Sequence, residues 1–328
     1  MSRSSTRLTV EQFCCFGKLP ISREFIVEGG NELSDSGFDQ WVGNGVGLAK
    51  ARLGNRFDQL ISSFPCYRFL WSAGKERVFA GVICPSKDAA GRKHPFSLFA
   101  CLRGKSESTL STAIEVWRYQ EAAAAMTESL SGVESPGALR DLLRSADQSP
   151  PSNETAPEEE YQSYLNERLG IDFWQSLTDH ETSDQRFIVL QALVETLAPL
   201  RKGDPRAFRG GIRYPISNSG NVASAMESSF WIDLTERFLR RPRTSSWSLR
   251  SPEKTEDGRA FCFLWLTTPA DSHWISLVDQ QSELESISYL DRPYGTEPPE
   301  HRMDPNLRTV LQSDRASLSE YLRWARDF

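Results

Sequence analysis

Two kinds of hydrophobic pattern alternate along the first 146 residues. Short apolar runs rich in aromatic and β-branched side chains are typical of buried strands, and they lie at 12–17, 24–27, 67–71, 78–84 and 96–102. Longer segments in which apolar residues recur every three or four positions predict helices at 38–64, 112–130 and 136–146. Strands joined by hairpins, with helices between them, predict an α+β unit with an antiparallel five-stranded sheet and flanking helices.

The predicted 38–64 helix contains three glycines in its first half, Gly43, Gly45 and Gly47. Each glycine costs about 1 kcal/mol relative to alanine in a helix interior. Close packing of the helix against another backbone is a physical reason for keeping them. Pro65 predicts the end of this helix.

A stretch without large apolar side chains divides the chain at residues 147–160. Because such a composition cannot bury itself, it predicts a linker between a first domain at 1–146 and a second domain at 161–328. The second half alternates helices, predicted at 185–200, from 219 or 221 to 239, and at 314–325, with strands, predicted at 212–216, 247–249, 261–266, 274–278 and 286–290. It is therefore predicted to be α/β or α+β, and we expect the two halves to fold independently.

Charge and cysteine content argue against several classes of protein. The formal net charge is −6, which does not favour a nucleic-acid-binding face. No apolar stretch reaches the roughly 18 residues of a membrane span, and the first residues lack the apolar core of a signal peptide. The six cysteines show no C-x-x-C spacing, so we expect buried, reduced thiols in a cytoplasmic protein and neither a disulfide framework nor a zinc site.

Two motifs stand out in the first domain. The first apolar run leads into the sequence Gly17-Lys18-Leu19-Pro20, and Glu24-Phe25 follows. The loop between the fourth and fifth predicted strands carries the second motif, which comprises Gly81, Val82, Pro85, Ser86, Asp88, Gly91, Arg92 and Pro95. In this order and at this spacing, the two motifs resemble the TagF/ImpM family, a group of accessory proteins of the bacterial type VI secretion system. The chain differs from the family pattern at Glu24 and Phe38, where the family has aspartate and tryptophan.

The resemblance covers residues 13–103 and implies a function. It implies a cytosolic protein that is not an enzyme, needs no cofactor and represses secretion after translation. It further implies a protein partner, the forkhead-associated scaffold protein of the secretion system, which would be sequestered by competition. A structural adaptor in assembly of the secretion system is the alternative within the same system. The order of strands and helices resembles longin and profilin folds, as an analogy of architecture only.

The residues around the two motifs form the candidate site. The first turn carries Lys18, Pro20, Arg23 and Glu24, and the loop at 85–95 carries Asp88, Gly91 and Arg92. Both turns follow an apolar run that ends at a proline, so we expect them at one end of the sheet. There they would bind a protein partner through charges of both signs or would structure the loop.

The loop at 85–95 also allows two other interpretations. Asp88 can accept bonds from the loop backbone, Gly91 can take a positive φ, and Arg92 can hold the loop by bonding Asp88 or Asp39. A hydrolase that uses Ser86, Asp88 and His94 is the alternative from a different class of protein, although the Gly-x-Ser-x-Gly elbow is absent. The four histidines have no second histidine or cysteine at metal-ligand spacing, so no metal is predicted.

Overall fold

The computed structural model describes residues 8–74, 76–104, 108–149, 151, 156–177, 185–202, 210–217, 221–240, 247–251, 260–292, 305–313 and 315–327. The strands are β1 (Thr9–Gly17), β2 (Ile26–Glu28), β3 (Tyr67–Ser72), β4 (Arg77–Cys84), β5 (Phe96–Arg103), β6 (Gly211–Ile216), β7 (Trp247–Ser251), β8 (Ala260–Trp265) and β9 (Ile287–Tyr289). The helices are α1 (Gly30–Ser36), α2 (Phe38–Leu53), α3 (Phe57–Leu60), α4 (Thr109–Ser129), α5 (Pro136–Gln148), α6 (Pro157–Glu167), α7 (Gly170–Leu177), α8 (Gln185–Lys202), α9 (Asn221–Leu239), α10 (Trp274–Val278), α11 (Pro305–Gln312) and α12 (Leu318–Asp327).

All of these strands belong to one mixed sheet of nine strands in the order β2-β1-β5-β4-β3-β7-β8-β6-β9. Neighbouring strands are antiparallel, except that β6 and β9 are parallel. The first five strands are adjacent and antiparallel, as their order along the chain predicts. They do not form a separate sheet, however, because β3 also pairs with β7 of the second half.

The junction between the halves places two like charges side by side. Arg68 on β3 lies directly opposite Arg250 on β7, and both side chains are buried. Glu121 on α4 accepts bonds from both guanidinium groups, at 2.7 Å from Arg250 and at 3.3 and 3.4 Å from Arg68. This carboxylate offsets the repulsion that two arginines would otherwise have across neighbouring strands.

Helices cover both faces of the sheet. On one face, α2, α3 and α10 pack an aromatic core that joins Trp41 of the first half to Trp265 and Trp274 of the second. On the other face, α4 and α5 cover β1 and β3–β5, and α4 also contributes to the core beneath α6–α9, α11 and α12. One aromatic core therefore contains residues from both sides of the predicted linker. This sharing weighs against independent folding of the halves, which stays a prediction.

Helices occupy both ends of the predicted linker at 147–160, because α5 extends to Gln148 and α6 begins at Pro157. Residues 150 and 152–155 of that linker lie outside the described part of the chain. The predicted helix at 38–64 is also interrupted. It ends at Leu53, Gly54 adopts a positive φ of 55°, and a short 3-10 turn leads into α3. The segment 274–278, predicted as a strand, is the short helix α10, a case in which a brief apolar run does not reveal its period.

The three glycines of α2 differ in their surroundings. A methyl group on Gly45 would lie 1.9 Å from Cδ1 of Trp274, so this glycine allows close packing, although against a side chain and not a backbone. Methyl groups on Gly43 and Gly47 would meet no atom of the described chain within 4 Å. Packing therefore explains one of the three glycines.

The cysteines correct one further prediction. Cys66 and Cys84, which adjoin the paired ends of β3 and β4, are joined by a disulfide. The expectation of reduced thiols is wrong for this pair. Cys14, Cys15, Cys101 and Cys262 are free and buried, and burial raises the pKa of each thiol above its usual value. In the part of the chain that the structure describes, no helix has the length and apolar character to cross a membrane.

Candidate functional site

The register of β1 and β5 brings the two predicted turns together. Gly17, the last residue of β1, lies opposite Phe96, the first residue of β5. The turn at 18–24 leaves β1 where the loop at 85–95 enters β5. A methyl group on Gly17 would lie 2.3 Å from the carbonyl oxygen of Pro95, and Gly17 has a φ of 135°. Glycine at this position thus permits the close approach of the turn and the loop.

Asp88 is the centre of the bonding between the two turns. Its carboxylate lies 2.8 Å from the Lys18 ammonium and 2.6 Å from Nε of Arg92. The other carboxylate oxygen accepts bonds from the backbone N–H groups of Ala90 and Arg92, both at 2.9 Å. Burial alone would raise the pKa of the Asp88 carboxyl, but the Lys18 ammonium and the bonds from Arg92 and Ala90 hold that pKa well below its usual value.

Further bonds tie the loop to the turn. The Ala89 N–H donates to the Ser22 carbonyl at 2.9 Å. Arg92, besides bonding Asp88, donates to the Arg23 carbonyl at 2.5 Å. The bond from Arg92 therefore goes to Asp88 and not to Asp39. The two turns form one surface, which we call the joined turns and define as residues 18–24 and 85–95.

The seven predicted site residues divide by exposure. Lys18 and Asp88 are buried, and their bond holds the joined turns from within. The residues accessible to a partner are Pro20, Arg23, Glu24, Gly91 and Arg92. Gly91 has a φ of 81° and open space beside it, so backbone conformation rather than crowding favours glycine there. The Arg92 side chain remains 60% exposed despite its bonds.

The side chains considered for a hydrolase do not form a Ser-His-Asp arrangement. The Ser86 hydroxyl donates to the Lys18 carbonyl at 2.6 Å. Nδ1 of His94 lies 2.8 Å from the carbonyl oxygen of Pro95, and Asp88 bonds Lys18 and Arg92 as described above. Burial lowers the pKa of His94 to about 4. This geometry supplies neither a base for the serine nor a carboxylate for the histidine.

Phe25 is a surface residue that the sequence analysis missed. Its side chain is 44% exposed, and its ring stacks on Phe16 with centroids 5.6 Å apart. Its ring is also nearly perpendicular to that of His94, with centroids 4.8 Å apart, and the Lys18 ammonium lies 5.0 Å from the Phe25 centroid. The available signal was the alternation of exposed and buried positions, because the exposed Phe25 and Val27 flank Ile26, which faces the core at the start of β2.

No group of three or more histidine, cysteine, aspartate and glutamate side chains suited to a metal ion occurs among the described residues. The joined turns offer cationic and aromatic side chains around a buried ion pair. Such a surface is suited to binding through charge and apolar contact.

The part of the chain that contains the joined turns is similar to a known protein family. Residues 14–146 match the family model of the TagF N-terminal domain, described as type VI secretion system-associated. This segment is similar to TagF N-terminal domains, and we refer to residues 14–146 as the TagF domain. The TagF domain includes both joined turns and spans nearly all of the region from β1 to α5. The strands β6–β9 lie outside it.

Two other comparisons add little to this assignment. The crystal structure of PA0076 from Pseudomonas aeruginosa PAO1 aligns with 88% of this chain and 100% of its own, at a TM-score of 0.46 and 16% identity. A likeness this distant carries no argument about function. No curated protein sequence matches the chain.

Proposed function

We propose that this protein is a cytoplasmic accessory protein of the type VI secretion system that represses secretion by binding a protein partner. The observation that carries the proposal is the TagF domain at 14–146, which contains the joined turns. The partner that fits the resemblance of the sequence is the forkhead-associated scaffold protein of the system. Sequestering that scaffold would withhold it from assembly of the secretion apparatus.

The structure supports a binding role for the joined turns through their rigidity. A buried ion pair and several bonds from backbone and side chains fix the loop at 85–95 before any partner arrives. A fixed surface loses little conformational entropy on binding. Around it, Arg23, Glu24 and Arg92 are exposed, and charges of both signs favour one orientation of a protein partner.

A deletion strain of the native host tests the direction of regulation. Loss of a repressor should raise secretion of type VI substrates, whereas loss of an adaptor should lower it. Complementation with the wild-type chain should restore the original level. Unchanged secretion after deletion would refute both roles.

A binding measurement with purified proteins tests the partner and the surface. The forkhead-associated scaffold protein should bind the wild-type chain, and Arg23→Glu should weaken that binding. Arg144→Glu is the matched control, because its side chain on α5 is 72% exposed and lies outside the joined turns. Equal loss of binding in both variants would show an effect of overall charge and would contradict a role for the joined turns.

A further inference from the structure

The edge strand β2 presents apolar side chains beside an unpaired strand edge. Within the described residues, β2 lies at the end of the sheet and pairs with β1 alone. An edge strand of this kind carries backbone N–H and C=O groups that can pair with another strand. Val27 of β2 is 51% exposed, and Phe25, two residues earlier on the same face, is 44% exposed.

The Phe25 ring is held in place although it is exposed. It packs against the rings of both Phe16 and His94, with centroids 5.6 and 4.8 Å away. Both supporting side chains are buried. A fixed aromatic ring at a surface gives a partner a large contact area with little loss of side-chain freedom.

The charge beside this edge is opposite to that of the whole protein. The joined turns carry five basic and two acidic side chains, a net charge of +3, within a chain of formal charge −6. The buried Lys18 and Asp88 offset each other. Arg23, Lys87 and Arg92 are exposed against the single exposed acid Glu24. An approaching segment with carboxylates therefore meets complementary charge at the end of β2 nearest to Phe25.

We propose that β2 binds an extended, acidic segment of a partner protein as an added strand. Backbone bonds would form along β2, alternate apolar side chains of the segment would contact Phe25 and Val27, and its acidic residues would lie over Arg23 and Arg92. The inference rests on the proposed function, since it specifies the chemistry of the partner segment that the joined turns receive.

The observations favour such a segment over a lipid surface or nucleic acid. Two acidic residues flank Phe25 and Val27, the exposed Glu24 and the half-buried Glu28. Their carboxylates would repel a broad anionic surface. Glu28 also bonds Arg140 on α5. A single strand can place its carboxylates over the arginines and avoid the two glutamates, whereas a membrane or a nucleic-acid backbone cannot.

Selection from a random peptide library on the purified full-length chain tests the proposal. The displayed peptides should be about twelve residues long, enough to span an added strand and its flanks. We expect the selected peptides to contain apolar residues at alternate positions, next to aspartate or glutamate. Their binding should weaken as salt rises, because ion pairs at an exposed surface are screened.

Variants locate the binding of a selected, fluorescently labelled peptide. Phe25→Ser, Val27→Ser and Arg23→Glu should each weaken its binding by about tenfold or more, as loss of an anchor does. Val222→Ser on α9 is the control for Val27→Ser, since Val222 is also exposed, at 48%. Arg144→Glu is the control for Arg23→Glu, and neither control should change the affinity.

Several results would overturn the proposal. The library could yield basic or proline-rich peptides, or no peptide at all. The selected peptide could also bind Phe25→Ser and Arg23→Glu as tightly as it binds the wild-type chain. A dimer in ultracentrifugation that Phe25→Ser disrupts would show that a second copy occupies the edge. Cosedimentation with vesicles of phosphatidylcholine and phosphatidylserine would show a lipid surface. Because the selection needs no secretion phenotype, failure of strand addition remains distinguishable from failure of the proposed repressor role.

Discussion

The glycines of α2 allow a test of the packing between the two halves of the chain. Gly45 contacts Trp274, a buried residue of the second half that itself packs against the rings of Trp41 and Phe64, at 5.1 and 5.8 Å. Gly43 and Gly47 lie on the exposed face of the same helix. Replacing each glycine with alanine changes the helix propensity by the same amount, so any difference between the variants reports packing.

The magnitudes follow from the structure. Gly43→Ala and Gly47→Ala should each stabilise the fold by about 1 kcal/mol, the propensity difference between glycine and alanine. Gly45→Ala gains the same amount but places a methyl group 1.9 Å from Cδ1 of Trp274. Overpacking of this kind costs about 1–3 kcal/mol or more, because the tryptophan must shift within a filled core. Gly45→Ala should therefore be less stable than Gly43→Ala by that overpacking cost.

Denaturant unfolding followed by tryptophan fluorescence and by circular dichroism measures these free energies. The wild-type chain and the three variants should be compared in one buffer, and the slopes of the transitions should agree. A Gly45→Ala variant as stable as Gly43→Ala would refute the contact between α2 and α10. A Gly43→Ala or Gly47→Ala variant less stable than the wild type would refute the open surroundings of those glycines.

Three further predictions concern charged and titratable groups. Lys18→Met should lower the denaturation midpoint more than Arg92→Gln does, because Lys18 pairs with Asp88 in the interior whereas Arg92 is largely exposed; equal midpoints would contradict this. Glu121→Gln should cost about 3–5 kcal/mol in denaturant unfolding, because it removes the carboxylate shared by two buried guanidinium groups, and a change below about 1 kcal/mol would contradict the pairing. Burial lowers the pKa of His94 from 6.5 to about 4. The contribution of the neutral imidazole to the free energy of unfolding is therefore complete above pH 6.5 and is lost as pH falls towards 4. His94→Phe should remove about 3 kcal/mol of that pH dependence in unfolding measurements between these values, and an unchanged profile would refute it.

Local patterns predicted the strands of the first half well, because these strands are short apolar runs bounded by turns. The same patterns could not show that β3 pairs with β7. The pairing of Phe69 with Leu249 joins segments far apart in the sequence, and an apolar strand looks alike at the edge and in the middle of a sheet. The short helix α1 was also missed. Leu33 is its one buried residue, too few for a helical period to show.

For the candidate site, too, the sequence predicted some features, whereas others depend on the folded structure. The proximity of the two turns was predicted from apolar runs that both end at a proline, and the register of β1 with β5 accounts for it. The separate roles of Lys18 and Arg23 could not be predicted, because burial distinguishes them and both are basic residues in one turn. The position of Phe25 depends on β2 being an edge strand, which is again a property of the whole sheet.

The continuity of the sheet affects how the TagF domain can be produced in isolation. A fragment that ends at residue 146 would lose β7, and the strand β3 would become an open edge with its backbone groups exposed. Arg68 and Glu121 would lose Arg250, and Trp41 would lose the rings that it contacts in the second half. Such a fragment should be prone to aggregate. We therefore expect the unit that folds to be larger than the segment that sequence similarity defines.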